Sequence, residues 1–491
     1  MTHFRHTRLW LVAVIAACLL PACTDPVLEP DEPDVPVGPV DTSVVTPPDT
    51  VPPVIPPDTA AYVTPDRFSN PGYLYDNTAL ASVTLTVTAD DWNTYLTNFD
   101  EDPNNDIYVP ARWRYEKDGN VYQRDSVGLR PRGNTSRVRP EGDYGEPHRS
   151  SGADWHHAHF GVRFTKHATG ERFFGSDRVI LKWHKCDPMY CREVYCYDLF
   201  HRFGVWAAPR SCYCRLTIHV EGDTSPAYFG IYELVENPRK GWLHDHAKQG
   251  HIADENGNLW KASWGATLSD PDASMGAPES NKEQYTYELK TNKTAFASAR
   301  QELRDFINGM TPLKSGSAEL QQWLEQHMDV DLFLRAYAVN VMVGMWDDYW
   351  INSNNYYFYF DSNHRFYFIP FDYDNTLGTD GMGIDPGRQD MLNWGSRGGD
   401  RILMRKVLSI PEYENRYKRY IKDLAAGDFA KEASQQRIRQ WHNLIAPYVD
   451  NDTGEDCTIY DEAANWGNNY GYRLLSDQNN FFTVKIGSIY W

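Results

Sequence analysis

Residues 83–87, "VTLTV", alternate apolar and polar side chains with the period of a half-buried strand. Asp90 or Asp91 is placed to cap a short helix through "WNTYL". "IYVPARWRYEKDGNVYQ" has the shape of a hairpin turning at Lys117–Asn120. After the polar cluster closing "VGLRPRGNTSR", the segments "HFGVRFT", "RVILKW", "RLTIHV" and "YFGIYELVE" read as further strands. The first half is therefore mostly β, broken by a helix that begins near Pro188. Residues 237–285 are rich in Gly, Asp, Asn and His with little periodicity, and read as a long irregular insertion of the functional or mobile kind. Beyond Tyr285 the period becomes helical over 294–308 and 317–327, then in an apolar helix opening near Asp331. Ser409, Pro411 and Glu412 form a capped start for "PEYENRYKRYIKDLAAG", which Gly427 ends.

One stretch departs from this alternation. "NYYFYF" and "RFYFIPF" are two aromatic strands joined by "DSNHR", and acids flank them: Asp347, Asp348, Asp372 and Asp374. Antiparallel pairing about Asn363 brings Asn355, at the start of one strand, beside Asp372 at the end of the other. Asp374 reaches the same edge if the backbone stays extended. Like charges so placed repel. Hard oxygen ligands converging at one edge suit Mg2+ or Mn2+, which cancels that repulsion and leaves room for water and phosphate oxygens. Asp348, on the connection from the preceding helix, is then placed to orient or deprotonate a hydroxyl, with Asp347 one residue away. The plainer alternative is that these acids and Asn355 cap turns.

The ends locate the chain. After the basic "MTHFRHTR" comes "LWLVAVIAACLLPAC", of signal-peptide length and too short for a stable membrane span. Leu20-Pro21-Ala22-Cys23 looks like a bacterial lipoprotein processing box, giving a signal peptide over 1–22 and a lipidated Cys23, or else plain secretion. Residues 24–57 hold 11 prolines and 7 acids without Lys or Arg, an extended spacer. The expectation is an exported protein held at a membrane of the cell envelope by its lipid. The formal net charge of −19 argues against nucleic acid as a partner. Export also makes disulfides the default among Cys186, Cys191, Cys196, Cys212, Cys214 and Cys457. The expected product is a staple between the helix bearing Cys191 and Cys196 and the strand bearing Cys212 and Cys214. Zinc is the rival reading, since five of these cysteines fall within 29 residues and His184 is near.

Seven pieces in order resemble the spore-coat protein H (CotH) kinase family: "RPRGNTSR" (130–137), "CDPMYCREVYCYDLFHRFG" (186–204), "FGIYELVEN" (229–237), "GNLWK" (257–261), "YELKTN" (287–292), "DYWINSNNYYFY" (348–359) and "FIPFDYDNTLG" (368–378). The resemblance covers roughly 80–450. It implies an α+β, atypical protein-kinase-like fold of two lobes, β-rich first and mostly helical second, with ATP between them. The corresponding division of the chain is a spacer over 23–57 and a kinase-like domain over 58–491, with a β-rich part about 80–236, the insertion about 237–285, a helical part about 286–450 and an extension over 451–491. The activity implied is metal-dependent transfer of the γ-phosphoryl group of ATP to a Ser/Thr hydroxyl of a protein. Asp348 takes the catalytic-loop aspartate's place, Asn355 and Asp372 those of the metal ligands, with Asp374 beside them. Glu236 matches a recurrent acid after a Gly-x-Tyr strand, and Lys261 a recurrent lysine.

One departure is visible. A lysine common in the family falls near His157 here, and neutral imidazole is a poor partner for phosphates. Lys182, Arg163, Lys261 and Arg137 are the candidate replacements. Two other readings stand beside the kinase: an inactive kinase-like scaffold that binds envelope or surface partners, and a phosphatase. In the latter, "FIPFDYDNTLG" resembles the Asp-x-Asp-x-Thr opening of haloacid-dehalogenase-like enzymes, with Asp372 as nucleophile and Asp374 as acid, a fold that needs a buried parallel strand.

Overall fold

The computed structural model describes residues 70–167, 172–278, 285–395, 401–464 and 467–491. The leader, Cys23 and the spacer lie outside them. A short helix α1 (Pro71–Leu74) precedes strands β1 (Ala81–Val87), β2 (Val109–Lys117), β3 (Asn120–Pro131), β4 (Phe160–Arg163), β5 (Arg178–Lys182), β6 (Ser211–Val220) and β7 (Ala227–Glu236). These close into a barrel in the order β1-β2-β3-β4-β5-β7-β6, antiparallel throughout except where β6 meets β1. The alternation in β1 does what its period demands: Val83, Leu85 and Val87 face the interior and Ser82, Thr84 and Thr86 do not. Burying such a Val or Leu fully contributes roughly 1.5–3 kcal/mol. Trp113, Phe160, Phe173 and Phe229 fill the remaining volume.

Helix α2 (Ala89–Glu101) follows β1, and α3 (Arg192–Arg202) lies between β5 and β6. Thr88, not Asp90 or Asp91, caps α2, its hydroxyl accepting the Asp91 N–H at 3.1 Å. In β7, Gly230 adopts φ +86°, and a side chain there would meet Asn451 at 3.1 Å, so conformation and space both call for glycine.

The second half carries α4 (Lys240–Lys248), β8 (Asn258–Ala262), β9 (Met275–Gly276), β10 (Tyr287–Leu289), α5 (Phe296–Met310), α6 (Ala318–His327), α7 (Val330–Val343), β11 (Tyr356–Phe360), β12 (Phe366–Pro370), β13 (Thr379–Asp380), α8 (Ile402–Leu408), α9 (Pro411–Ala426), α10 (Lys431–Ile445), β14 (Asn468–Asn469) and α11 (Phe481–Gly487). The architecture is thus α+β, with a β-barrel first and a mainly helical region second. The expected irregular insertion holds regular elements. Its segment "NLWKA" is β8, the middle strand of a sheet ordered β12-β11-β8-β10-β9. Five residues paired on both edges are too short for a period to show, and only the tertiary partners make them a strand. Asp329 caps α7 by accepting the Leu332 N–H at 3.0 Å, and Gly344 ends it at φ +71°. Ser409 does not cap α9: it accepts the Gly316 N–H at 2.9 Å and donates to the Lys406 carbonyl, while Pro411 opens the helix.

The expected disulfide staple is absent. All six cysteines of the described residues are free thiols. Tyr213 faces α3 and shares a core with Cys191 and Cys196, so its neighbours Cys212 and Cys214, one residue away on either side, face the opposite core inside the barrel. Cys196 donates to Thr376 Oγ1 and Cys212 to the Leu74 carbonyl. The zinc alternative fails as well. Among the described residues the one group of three or more potential ligands contains no cysteine. No helix there is long and apolar enough to cross a membrane.

Candidate active site

The aromatic hairpin pairs Tyr356 with Pro370 and Phe360 with Phe366, which fixes Asn355 and Asp372 at the same end. All ten strand residues are buried, a rigid mount for the polar residues at that end. Asn355 and Asp372 both adopt left-handed backbone, at φ +52° and +66°. For residues other than glycine such a conformation costs of order 1–3 kcal/mol and persists where the surroundings impose it, typically at functional sites.

Asp372 faces the last residue of β5. Lys182 Nζ lies 2.7 Å from Asp372 Oδ1 and 3.2 Å from Asp374 Oδ2, and is ion-paired with Glu193 in the first turn of α3. Oxygens of these three acids lie within 4.8 Å of one another. One ammonium therefore serves three carboxylates, with Glu233 opposite Lys182 across the β5–β7 ladder. Burial alone would lower the Lys182 pKa, but Asp372, Asp374 and Glu193 hold it well above its usual value. Burial, then Glu193, push Glu233 well up. Asp374 rises to about 7, through burial first and then, against the pull of Lys182, the charges of Asp372 and Glu193. Asp372 stays below the usual range: its burial is more than offset by Lys182, Arg132 and Lys261.

Tyr197 stiffens the arrangement, donating to Glu193 Oε1 and accepting the Asp372 N–H, both at 2.9 Å. Hard carboxylate oxygens in this number fit a divalent cation such as Mg2+. The side chains of Asp372 and Asp374 are 38% and 43% exposed and that of Glu193 is 3% exposed, so the aspartates offer the approach.

The two aspartates that come after α7 part company. Asp347 accepts from the amides of Asn352 at 2.6 Å, Asn355 at 2.9 Å, Asn354 at 3.3 Å and Asn375 at 3.4 Å. Burial and the charge of Asp372 raise its pKa. Because Asn355 gives its N–H to Asp347, its carbonyl oxygen is left as a ligand atom. Asp348 is 1% exposed and is engaged by the Ile351 N–H at 2.7 Å and by the Asn340 amide. Burial pushes it up to about 7. The carboxylate on the Asn355 and Asp372 side is that of Asp347.

The remaining candidates separate likewise. Arg137 spends its guanidinium on the carbonyls of Gly133, Pro103 and Asn105, at 2.7–2.8 Å, tying a loop to the end of α2. Glu236 is bound by Arg210, which also reaches Asp245. Arg163 bonds Thr165. Lys261 sits on β8 between Glu288 and Tyr357. His157 is structural: Nδ1 lies 3.1 Å from Glu455, Nε2 3.0 Å from the Phe229 carbonyl, and the ring stacks on Trp183. The cation among the acids is Lys182. The phosphatase reading loses its scaffold, because β12 is the edge strand of its sheet and runs antiparallel to β11.

Sequence reasoning did not single out Glu193 or Arg132. The signal for Glu193 was present: a lone acid in the buried face of "REVYCY", matched by a lone lysine ending the apolar strand "RVILK".

Residues 129–472 match the family described as CotH kinase protein. Spore coat protein homolog 1 of Rhizopus delemar is 22% identical over 306 residues, which cover 60% of this chain and 45% of that protein. The chain thus spans less than half the length of this relative. With the family matched over well more than half of its residues, the chain belongs to the CotH kinase protein family.

Proposed function

We propose that the chain is an exported kinase that transfers the γ-phosphoryl group of ATP to a Ser/Thr hydroxyl of a protein, the barrel serving as its smaller lobe and the helical region as its larger one. The observation that carries the reading is Lys182, held by the helix acid Glu193 and facing Asp372. Protein kinases use a strand lysine so held to cradle phosphates, opposite a metal-binding aspartate. Lys182 takes that part here, with Glu193 fixing its position. Asp372, Asn355 and Asp374 would hold Mg2+ or Mn2+, which when bound offsets the charge of the phosphates. Asp347 is assigned the acceptor hydroxyl in preference to Asp348, because its carboxylate shares amide partners with the hairpin edge and that of Asp348 is engaged by buried groups. Four amides aimed at Asp347 hold it in one orientation, from which it receives the acceptor's proton as the O–P bond forms and ADP departs.

Anchorage through Cys23 and an envelope protein as substrate complete the reading, with no role for nucleic acid. The test is transfer from γ-labelled ATP, with Mg2+ or Mn2+, to a generic Ser/Thr protein. Asp372→Asn, nearly isosteric, removes one charge from the hard-cation site and is expected to abolish metal-dependent nucleotide binding. Folded protein that binds no ATP with metal and labels no acceptor returns the chain to the scaffold reading.

A further inference from the structure

Large apolar side chains left in water are ordinary when scattered singly. Among the described residues seven are exposed, and two of them stand on loops tied to the segment 346–355 that carries Asp347. They are Trp264, 75% exposed, and Met382, 45% exposed. Trp264 lies just past β8, whose last residue Ala262 pairs with Tyr356, so it leaves the sheet at the end that holds Asn355. Ser263–Ala266 is a tight turn closed by the Ala266 N–H on the Ser263 carbonyl at 3.1 Å, with Gly265 at φ +87° supplying the left-handed position. The same Ala266 N–H reaches the Ser353 carbonyl at 3.0 Å. The Ala266 carbonyl accepts from the Tyr356 hydroxyl at 2.7 Å, and the Thr267 carbonyl from that of Tyr349 at 3.2 Å.

Met382 belongs to the stretch that follows Asp374. Leu377 gives its N–H to the Val343 carbonyl at 2.8 Å, at the end of α7, and Gly381 lies so close to Trp346 that a side chain there would meet the ring at 2.3 Å. The Met382 N–H is held by Asp380 Oδ1 at 2.7 Å, and the buried Asp380 accepts in turn from Asn468 and Tyr470, each at 3.0 Å. One exposed apolar side chain is thus fixed against the end of segment 346–355 and the other against its start. Between these two posts the segment is polar where it meets solvent: its partly exposed residues are Asp347, Asn352, Asn354 and Asn355. Holding an indole and a thioether in water on pinned loops forgoes the gain of burying them, a gain that binding recovers.

We propose that Trp264 and Met382 receive the acceptor polypeptide, each packing on an apolar side chain close to the Ser/Thr whose hydroxyl meets Asp347. The part played by Asp347 rests on the kinase reading, while the two apolar posts over a polar floor stand without it. A polypeptide is the occupant because the floor suits a hydroxyl and backbone amides and the posts suit apolar side chains. Met adapts to apolar partners of varied shape, and an indole supplies broad contact area at little cost in conformational entropy. A sugar would use the indole and leave the thioether without a partner.

The experiment measures initial rates of the full chain, with ATP and Mg2+ or Mn2+, on two Ser/Thr peptides of equal length and charge. One carries Leu and Phe beside the acceptor and the other Asn in their places. The apolar-flanked peptide should show a KM about 10-fold lower. Trp264→Ala should raise that KM about 10-fold and Met382→Ala about 3-fold, with kcat and the affinity for ATP unchanged, because what is lost is binding alike in ground and transition states. Tyr144→Ala, which trims an equally exposed ring in the loop between β3 and β4, should change nothing. The proposal is overturned if wild type uses both peptides equally, if the two variants keep the preference, if they lose ATP affinity or thermal stability instead, or if a soluble oligosaccharide competes as well as the apolar-flanked peptide. If folded wild type binds ATP and labels neither peptide, the kinase reading fails, and fluorescence anisotropy of the labelled apolar-flanked peptide decides the surface by itself. Binding by wild type that is weakened about 10-fold in Trp264→Ala upholds it, and no binding overturns it.

Discussion

The barrel and the junction beneath it use charge in opposite ways. Around the barrel, polar side chains are bound by defined partners. Arg139 bonds Asp100, Arg137 bonds three carbonyls, and His148 is gripped by Glu141 and Asp223, each at 2.9 Å. At the junction the matching fails, with one ammonium paired to three carboxylates. Matched groups hold loops in place. Unmatched ones, where the fold tolerates the cost of clustering them, mark where a charged ligand belongs.

Disturbing the junction should be felt in chemistry first. Lys182→Met should cut transfer by about 100-fold or more, the scale for losing one preorganised electrostatic contact to a transition state. With Glu193, Asp372 and Asp374 left unneutralised, thermal unfolding in metal-free buffer should also shift down. Next comes the separation of neighbours. Asp347→Asn should lower transfer about 100-fold while sparing nucleotide binding, whereas Asp348→Asn should leave transfer within a few-fold of wild type. A larger loss in Asp348→Asn, measured side by side, reverses the assignment.

A barrel substitution should do the reverse. Arg137→Met removes charge-assisted bonds to three carbonyls and is expected to cost about 2–3 kcal/mol of stability in denaturant titration, with the affinity for ATP unchanged in the protein that remains folded.

A further effect is in pH. Asp348, pushed to about 7 by burial, binds its proton more tightly folded than unfolded. Its favourable contribution is complete below the unfolded value of about 4 and is lost as pH rises to 7, by up to about 1.4 kcal/mol per pH unit. Stability measured from pH 4 to 7 should fall less steeply in Asp348→Asn.

How much was legible in the sequence depends on how far apart the partners lie. Asn355 and Asp372 were readable because a short turn sets the hairpin register. Lys182 could be named only as one of four candidate cations and Glu193 was not singled out, since closing the barrel is what sets Lys182 against residues some 190 positions later. The cysteines fail for a related reason. Period 2 puts Cys212 and Cys214 on one face of β6, but only the closed barrel shows that this face turns away from α3. Asp347 and Asp348 are chemically alike in sequence, and they separate when one meets four amides and the other the buried side of α7.

The most direct test of the kinase assignment is the incorporation of γ-labelled phosphate from ATP into a Ser/Thr protein by wild type, Lys182→Met, Asp347→Asn and Asp372→Asn, each with Mg2+ or Mn2+ and with chelator. Metal-dependent labelling by wild type is expected, with about 100-fold less or none by the three variants. Equal labelling by wild type and Asp372→Asn, or none by folded wild type that binds ATP and metal, would contradict the assignment.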